Sequence, residues 1–185
     1  MMRRQYGLLQ KEAEMAYADV LELRRFGRRN DVKRAAPSAE PKTGAAQLLA
    51  YLAAAPLIAA SLVIVAGDGR AAELSANVMA LYGAALIVFF GGVRWGVAVM
   101  KEGGPTMRAL AGAALPFAAA LPLLAPIGGL HWKFAAIMAV TALLLIDDLK
   151  ATRSGSGAPA WYLGVRLPLT VLIELAFIIA IVGRV

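Results

Sequence analysis

The sequence predicts an all-α integral membrane bundle of about five transmembrane helices, preceded by a cytoplasmic amphipathic helix. Three observations lead there. The chain is 60% hydrophobic over 185 residues, with a mean hydropathy of +0.67, which is too apolar for an ordinary soluble domain of this length. Charged residues are only 17% of the total, and many of them crowd into the first 42 positions, so the net charge of +7 belongs mostly to a tail. Beyond that tail, long apolar runs alternate with short polar connections, the pattern of antiparallel neighbours in a bundle.

Residues 1–28 read as one amphipathic helix. Leu9, Ala13, Ala16, Tyr17 and Val20 recur at helical spacing, while Lys11, Glu12, Glu14, Asp19 and Arg24 fall mostly elsewhere on the wheel. Gly27 breaks the pattern. Residues 29–44 are polar, contain Pro37 and Pro41, and read as a linker. The first 44 residues contain no apolar h-region, and their acids argue against a transit peptide, so no targeting signal is expected in them. Position 2 is Met2 and the chain has no cysteine, which removes the common lipidation motifs.

Five apolar segments follow, at about 45–66, 77–100, 109–125, 132–146 and 163–183. Each is read as a span of a hydrocarbon core about 30 Å thick, although the third and fourth are short for it. Pro56 in the first segment is expected to kink it, and Pro116 and Pro122 interrupt the third. The connections "GDGRAAELS", "KEGGPTMR", "PIGGLH" and "DDLKATRSGSGAPAWY" are read as loops. Lysine and arginine set the orientation. The tail, Lys101 and Arg108, and Lys150 and Arg153 fall on one side, against Arg70, Lys133 and Arg184 on the other. The positive-inside rule then expects a cytoplasmic N-terminus and a periplasmic C-terminus. Five spans do not divide into equal halves, which disfavours an inverted-repeat carrier.

Ionisable groups inside the spans are the candidate functional residues. Arg94 lies within an apolar run, about 9 to 10 Å from the end of its span. It could snorkel to the headgroups, or pair within the bundle. Asp147 and Asp148 close the fourth span and Arg166 opens the fifth, all at the same level. A cluster of two carboxylates and two guanidiniums would neutralise itself. It would act as a latch, or as part of a site for a substrate, a lipid headgroup or a proton. Gly91, Gly92 and Gly96 would leave room for a neighbouring helix. Glu174 lies eight residues beyond Arg166, about 12 Å further in, where the chain offers no cation. Ser61, Tyr82 or Thr141 could hydrogen-bond it. Its candidate roles are neutral hydrogen-bonding glue, a proton relay, or a contact with a partner.

Other chemistry finds little support. The absence of cysteine excludes disulfides and thiolate chemistry, and one histidine does not make a conventional zinc site. His131, at a predicted span end beside Trp132, reads as solvated. "GGP" at 103–105 reads as a turn, with no nucleotide-binding pattern around it. Serines and threonines lack a His–Asp set for nucleophilic catalysis. The basic tail lacks interleaved aromatics, so anionic lipid or a protein partner is expected over nucleic acid. No cofactor, metal or catalytic activity is expected.

Two motifs carry a resemblance. "LYGAALIVFFGGVRWG" at 81–96 includes Gly91, Gly92, Arg94, Trp95 and Gly96; "PAWYLGVRLPLT" at 159–170 includes Trp161, Tyr162, Arg166, Pro168 and Thr170. With an aspartate closing the span between them, they resemble the signature of the domain of unknown function 3429 family, small membrane proteins grouped with transmembrane protein 69 of animals. The resemblance covers roughly residues 45–183 and implies about five spans in a bacterial or mitochondrial inner membrane. It implies no activity. The N-terminal extension and Glu174 depart from its pattern. The reading that follows is a non-catalytic accessory subunit or assembly partner of a larger inner-membrane complex, respiratory or photosynthetic electron transport being the leading settings. The competing readings are a small transporter or channel using Glu174 and the Arg94 cluster, and an enzyme acting on lipid through Asp147 and Asp148.

Overall fold

The computed structural model describes residues 43–155 and 157–183. The expected amphipathic helix and almost all of the linker lie outside the described residues. Among the described residues the chain is all-helical. Five helices follow one another: α1, Gly44–Ala66; α2, Gly69–Val99; α3, Met107–Leu124; α4, Leu130–Arg153; and α5, Ala160–Gly183. Four of them, α1, α2, α3 and α5, are long and apolar enough to cross a membrane. This is a membrane protein. The remaining helix, α4, has an uncharged stretch only between Lys133 and Asp147, and carries Asp147, Asp148, Lys150 and Arg153 in its last two turns.

Two stretches expected as loops are helical. The segment "GDGRAAELS" shrinks to a two-residue connection, Gly67 and Asp68, and α2 begins at Gly69. Ala71, Ala72, Glu73 and Leu74 are strong helix formers, and nothing in them stops a helix running on past the apolar stretch. Likewise α4 continues to Arg153 and α5 starts at Ala160. The turn falls within 154–155 and 157–159 of the described residues, where Gly155 takes a positive φ of 69°. Elsewhere the punctuation behaves as read. Gly103 and Gly104 sit at φ of 83° and 84° in the turn before α3. Thr106 then caps α3, its side-chain oxygen accepting from the Ala109 amide.

Helices α1, α2, α4 and α5 form a ring in which α1 packs on α2 and α5, and α4 packs on α2 and α5. Helix α3 lies outside this ring, against α2 and more lightly α4. The centre is filled by Leu57 and Ile64 of α1, Met79 and Ile87 of α2, Phe134 and Ile137 of α4, and Ile173 and Phe177 of α5, all buried. The Phe134 and Phe177 rings meet edge to face with centroids 4.9 Å apart. Small residues set the close approaches. A Cβ on Gly83 would lie 2.7 Å from Cζ of Phe177 and 3.0 Å from Ile137. One on Gly91 would lie 3.0 Å from the Ala113 carbonyl of α3. Gly92 and Gly96, expected to make similar room, face open space instead. They fall on other sides of α2, because residues one and five positions along a helix do not share the face of Gly91. Leucine, valine and phenylalanine side chains cover the outer faces, among them Leu49, Leu62, Phe89, Leu115, Leu143 and Val171.

Candidate functional site

Arg94, Asp147, Asp148 and Arg166 meet at one end of the bundle, where α2 and α4 end and α3 and α5 begin. Helix α4 is still regular at Asp147 and Asp148, so the two carboxylates leave it about 100° apart. Asp148 turns inward and Asp147 outward. The Asp148 side chain is 13% exposed and that of Asp147 67% exposed. Arg94 donates to Oδ1 of Asp148 from Nε at 2.9 Å and from Nη2 at 2.8 Å. Its Nη1 lies 2.8 Å from Oδ2 of Asp147, and Nη2 also donates to the Leu144 carbonyl at 2.8 Å. Arg166, the most deeply placed of the four at 1% exposure, donates from Nε to the other oxygen of Asp148, Oδ2, at 3.2 Å. Asp148 is therefore the hub, with one oxygen for the arginine of α2 and one for the arginine of α5.

Arg166 is held on its remaining sides. Its Nη1 donates to the Thr170 hydroxyl at 2.8 Å, and that hydroxyl donates back to the Arg166 carbonyl at 3.0 Å. Residues four apart on a helix are neighbours, which gives the spacing of Arg166 and Thr170 a physical sense. The guanidinium carbon lies 3.4 Å from the centroid of the Phe90 ring of α2, a cation–π contact. Nη2 of Arg166 has no hydrogen-bond partner among the described residues. Pro168 lies inside α5 between these two residues and gives up one backbone donor there.

Glu174 is half-buried and accepts or shares one hydrogen bond, with the Thr141 hydroxyl of α4 at 2.6 Å. The other two expected partners are engaged elsewhere. Ser61 donates to the Ile58 carbonyl at 2.8 Å, and Tyr82 donates across to the Ala53 carbonyl of α1 at 2.9 Å. Glu174 sits between the buried Ile173 and the exposed Leu175, at the edge where α5 turns to the outside. Thr141 also lies within hydrogen-bond distance of the Ile137 and Met138 carbonyls, so its single proton is shared among several acceptors.

Other sequence-predicted residues fall into place around these. Trp95, Trp132 and Trp161 are exposed on the outer surface, and the Trp161 and Tyr162 rings meet edge to face. His131 is exposed in the first turn of α4. The docking residues Leu9, Ala13, Ala16, Tyr17 and Val20 lie outside the described residues. Sequence reasoning missed the role of Lys133, counted only as a charge of the far side. It is buried, and its ammonium donates to the Ala125 carbonyl at the C-terminal end of α3, where a cation meets the helix dipole. The spacing of eight residues across a tight turn was the available signal.

A cavity of about 650 Å³ opens beside the cluster. Arg94, Asp147, Asp148 and Tyr162 line it together with the exposed Lys101, Arg108 and Lys150. A model for the family described as Protein of unknown function (DUF3429) matches residues 43–182. The match carries the family and not the likeness to the animal protein. No curated protein and no solved structure matches the chain.

Proposed function

We propose that this chain, which belongs to the DUF3429 family, is a non-catalytic accessory subunit or assembly partner of a larger complex in the bacterial inner membrane. The observation that carries the reading is the engagement of the two cluster carboxylates by arginine. Both oxygens of Asp148 are taken by arginine, and Asp147 faces the same Arg94. A carboxylate bound in this way is a poor general acid or base, because catalysis needs a group free to exchange its proton with substrate. The charges are spent on holding α2, α4 and α5 together. The competing reading, a transporter or channel, needs a polar path from the cavity through the bundle. Below Thr170 the ring is filled by Ile173, Ala176, Phe177 and Phe134, which speaks against one.

Association has two points of attachment in this proposal. One is Glu174, a polar group at the outer edge of α5 at mid-depth, where a helix of a partner could offer it a second hydrogen bond. The other is the amphipathic segment 1–28 on the cytoplasmic side. Gentle purification of the tagged protein from native membranes, with quantitative mass spectrometry, tests the reading. It is repeated on a chain lacking residues 1–30 and on Glu174→Leu. A stoichiometric partner, weakened by either change, is the expected result. A protein that emerges alone in all three preparations sinks the reading, and flux measurements in proteoliposomes then become the next test.

A further inference from the structure

The cavity beside the charge cluster is built for an anion, and its walls say what kind. Its cations outnumber its acids: Arg94, Lys101, Arg108 and Lys150 against Asp147 and Asp148. The two acids are already engaged by arginine. Lys101, Arg108 and Lys150 are exposed and make no ion pair among the described residues. Glu102 is in the same turn as Lys101 but does not line the cavity. Tyr162 of α5 is a further lining residue and brings a phenol to the cavity. Helix α3 starts beside the cavity, with Thr106, Arg108 and Ala109 among the lining residues, so the positive end of a helix dipole adds to the side-chain charges.

Between α2 and α3 the wall is apolar, with Val93, Val97 and Ala98 facing Ala109, Gly112 and Ala113, while Thr106, Thr152 and Ser154 add hydroxyls elsewhere on it. A volume of about 650 Å³ is in the range of small-molecule sites. A site for a fully hydrated ion would not need an apolar floor between two helices. Exposed cations beside such a floor fit an amphiphile with a phosphate head.

We infer that this cavity binds a phosphoryl anion, with Lys101, Arg108 and Lys150 contacting the phosphate oxygens, the Tyr162 hydroxyl donating a further hydrogen bond, and the apolar floor taking the glyceryl and upper acyl carbons of an acidic phospholipid. The inference stands apart from the accessory-subunit reading, since it concerns a ligand and not a partner. Arg94 remains in the latch.

The test uses the full chain in mild detergent, incubated with equal amounts of phosphatidylglycerol and phosphatidylcholine and read by native mass spectrometry. The expected result is a bound phosphatidylglycerol retained about tenfold or more over phosphatidylcholine, with that preference abolished in the triple variant Lys101→Gln, Arg108→Gln, Lys150→Gln. Tyr162→Phe should weaken retention a few-fold. Gly112→Leu keeps every charge and, with open space at its Cβ, should fill the floor and expel the lipid without disturbing the helices. A thermal midpoint close to wild type certifies that each variant is folded. Millimolar inorganic phosphate distinguishes the sources. No displacement identifies the lipid head as the occupant, whereas displacement identifies a soluble phosphate compound held by the same groups. Equal retention of the two lipids by the wild type overturns the inference, as does a preference that survives both the triple variant and Gly112→Leu.

Discussion

Asp148 and Asp147 are adjacent in sequence, and their environments make opposite predictions. Removing the Asp148 charge leaves Arg166 buried without a carboxylate and takes the main partner from Arg94. Asp148→Asn is expected to destabilise the fold by about 3 kcal/mol or more, the usual cost of breaking a buried pair from one side. Asp147→Asn, at an exposed carboxylate, is expected to cost under about 1 kcal/mol. Unfolding midpoints in one detergent compare the two directly. A reversed order would mean that Arg94 rests mainly on Asp147. Within the same cluster, Thr170→Val removes the acceptor of the Arg166 Nη1 group and is expected to cost about 1 to 3 kcal/mol. That Arg94 must find a carboxylate near the end of the fourth apolar segment is legible in the sequence, because a buried guanidinium needs a counter-charge. Which carboxylate bears the load is not legible. It depends on the azimuth of each residue about α4, and the sequence offers no sign that the helix continues through "DDLKATR". Glu174 is a parallel case: its three possible hydroxyl partners are visible in sequence, but only the packing of α4 against α5 selects Thr141.

At the scale of elements, the glycines of α2 separate into those that set helix distances and those that do not. Gly83→Ala places a methyl group 2.7 Å from the Phe177 ring, and is expected to destabilise by about 1 to 3 kcal/mol as α2, α4 and α5 are pushed apart. Gly92→Ala meets nothing within 4 Å and is expected to stabilise by about 0.5 to 1 kcal/mol through helix propensity alone. Thermal midpoints of the two single variants settle the contrast, and equal shifts would show that the close approach at Gly83 is not limiting. The sequence marks both glycines alike as small residues in a span. Only the neighbours, Phe177 for one and open space for the other, tell them apart. The extra turns of α2 and α4 were hidden for a related reason. Hydropathy reports where a helix is apolar, whereas the helix ends where its backbone is stopped, at Asp68 and in the turn after Arg153.

At the scale of the molecule, the proposed orientation makes a simple prediction. The chain has no cysteine, so single cysteines report on sidedness without background. Lys101→Cys should label from the cytoplasmic face and His131→Cys from the opposite one, using a membrane-impermeant maleimide on oriented vesicles. The reverse pattern would invert the positive-inside assignment and move segment 1–28 to the other side. The helical class and the five helices among the described residues are carried by apolar runs and short connections. The ring of α1, α2, α4 and α5 with α3 outside is not, since no one-dimensional pattern distinguishes which neighbours close it. The clamp on Asp148 also has a consequence for how the protein is made. During synthesis α4 leaves the ribosome with two carboxylates, and Arg166 follows in α5. An aspartate, lysine or arginine at the centre of a lone helix costs about 2.5 to 3.5 kcal/mol to pass from the translocon into lipid, and less near an end; each helix of the pair carries such a group near one end, and α4 is outside the four described helices apolar enough to cross alone. Together they neutralise each other. Helices α4 and α5 should therefore enter the bilayer as a hairpin, after α2 is in place to receive them, and a chain stopped at residue 159 should linger at the translocon and be degraded faster than the full-length protein in a pulse-chase measurement.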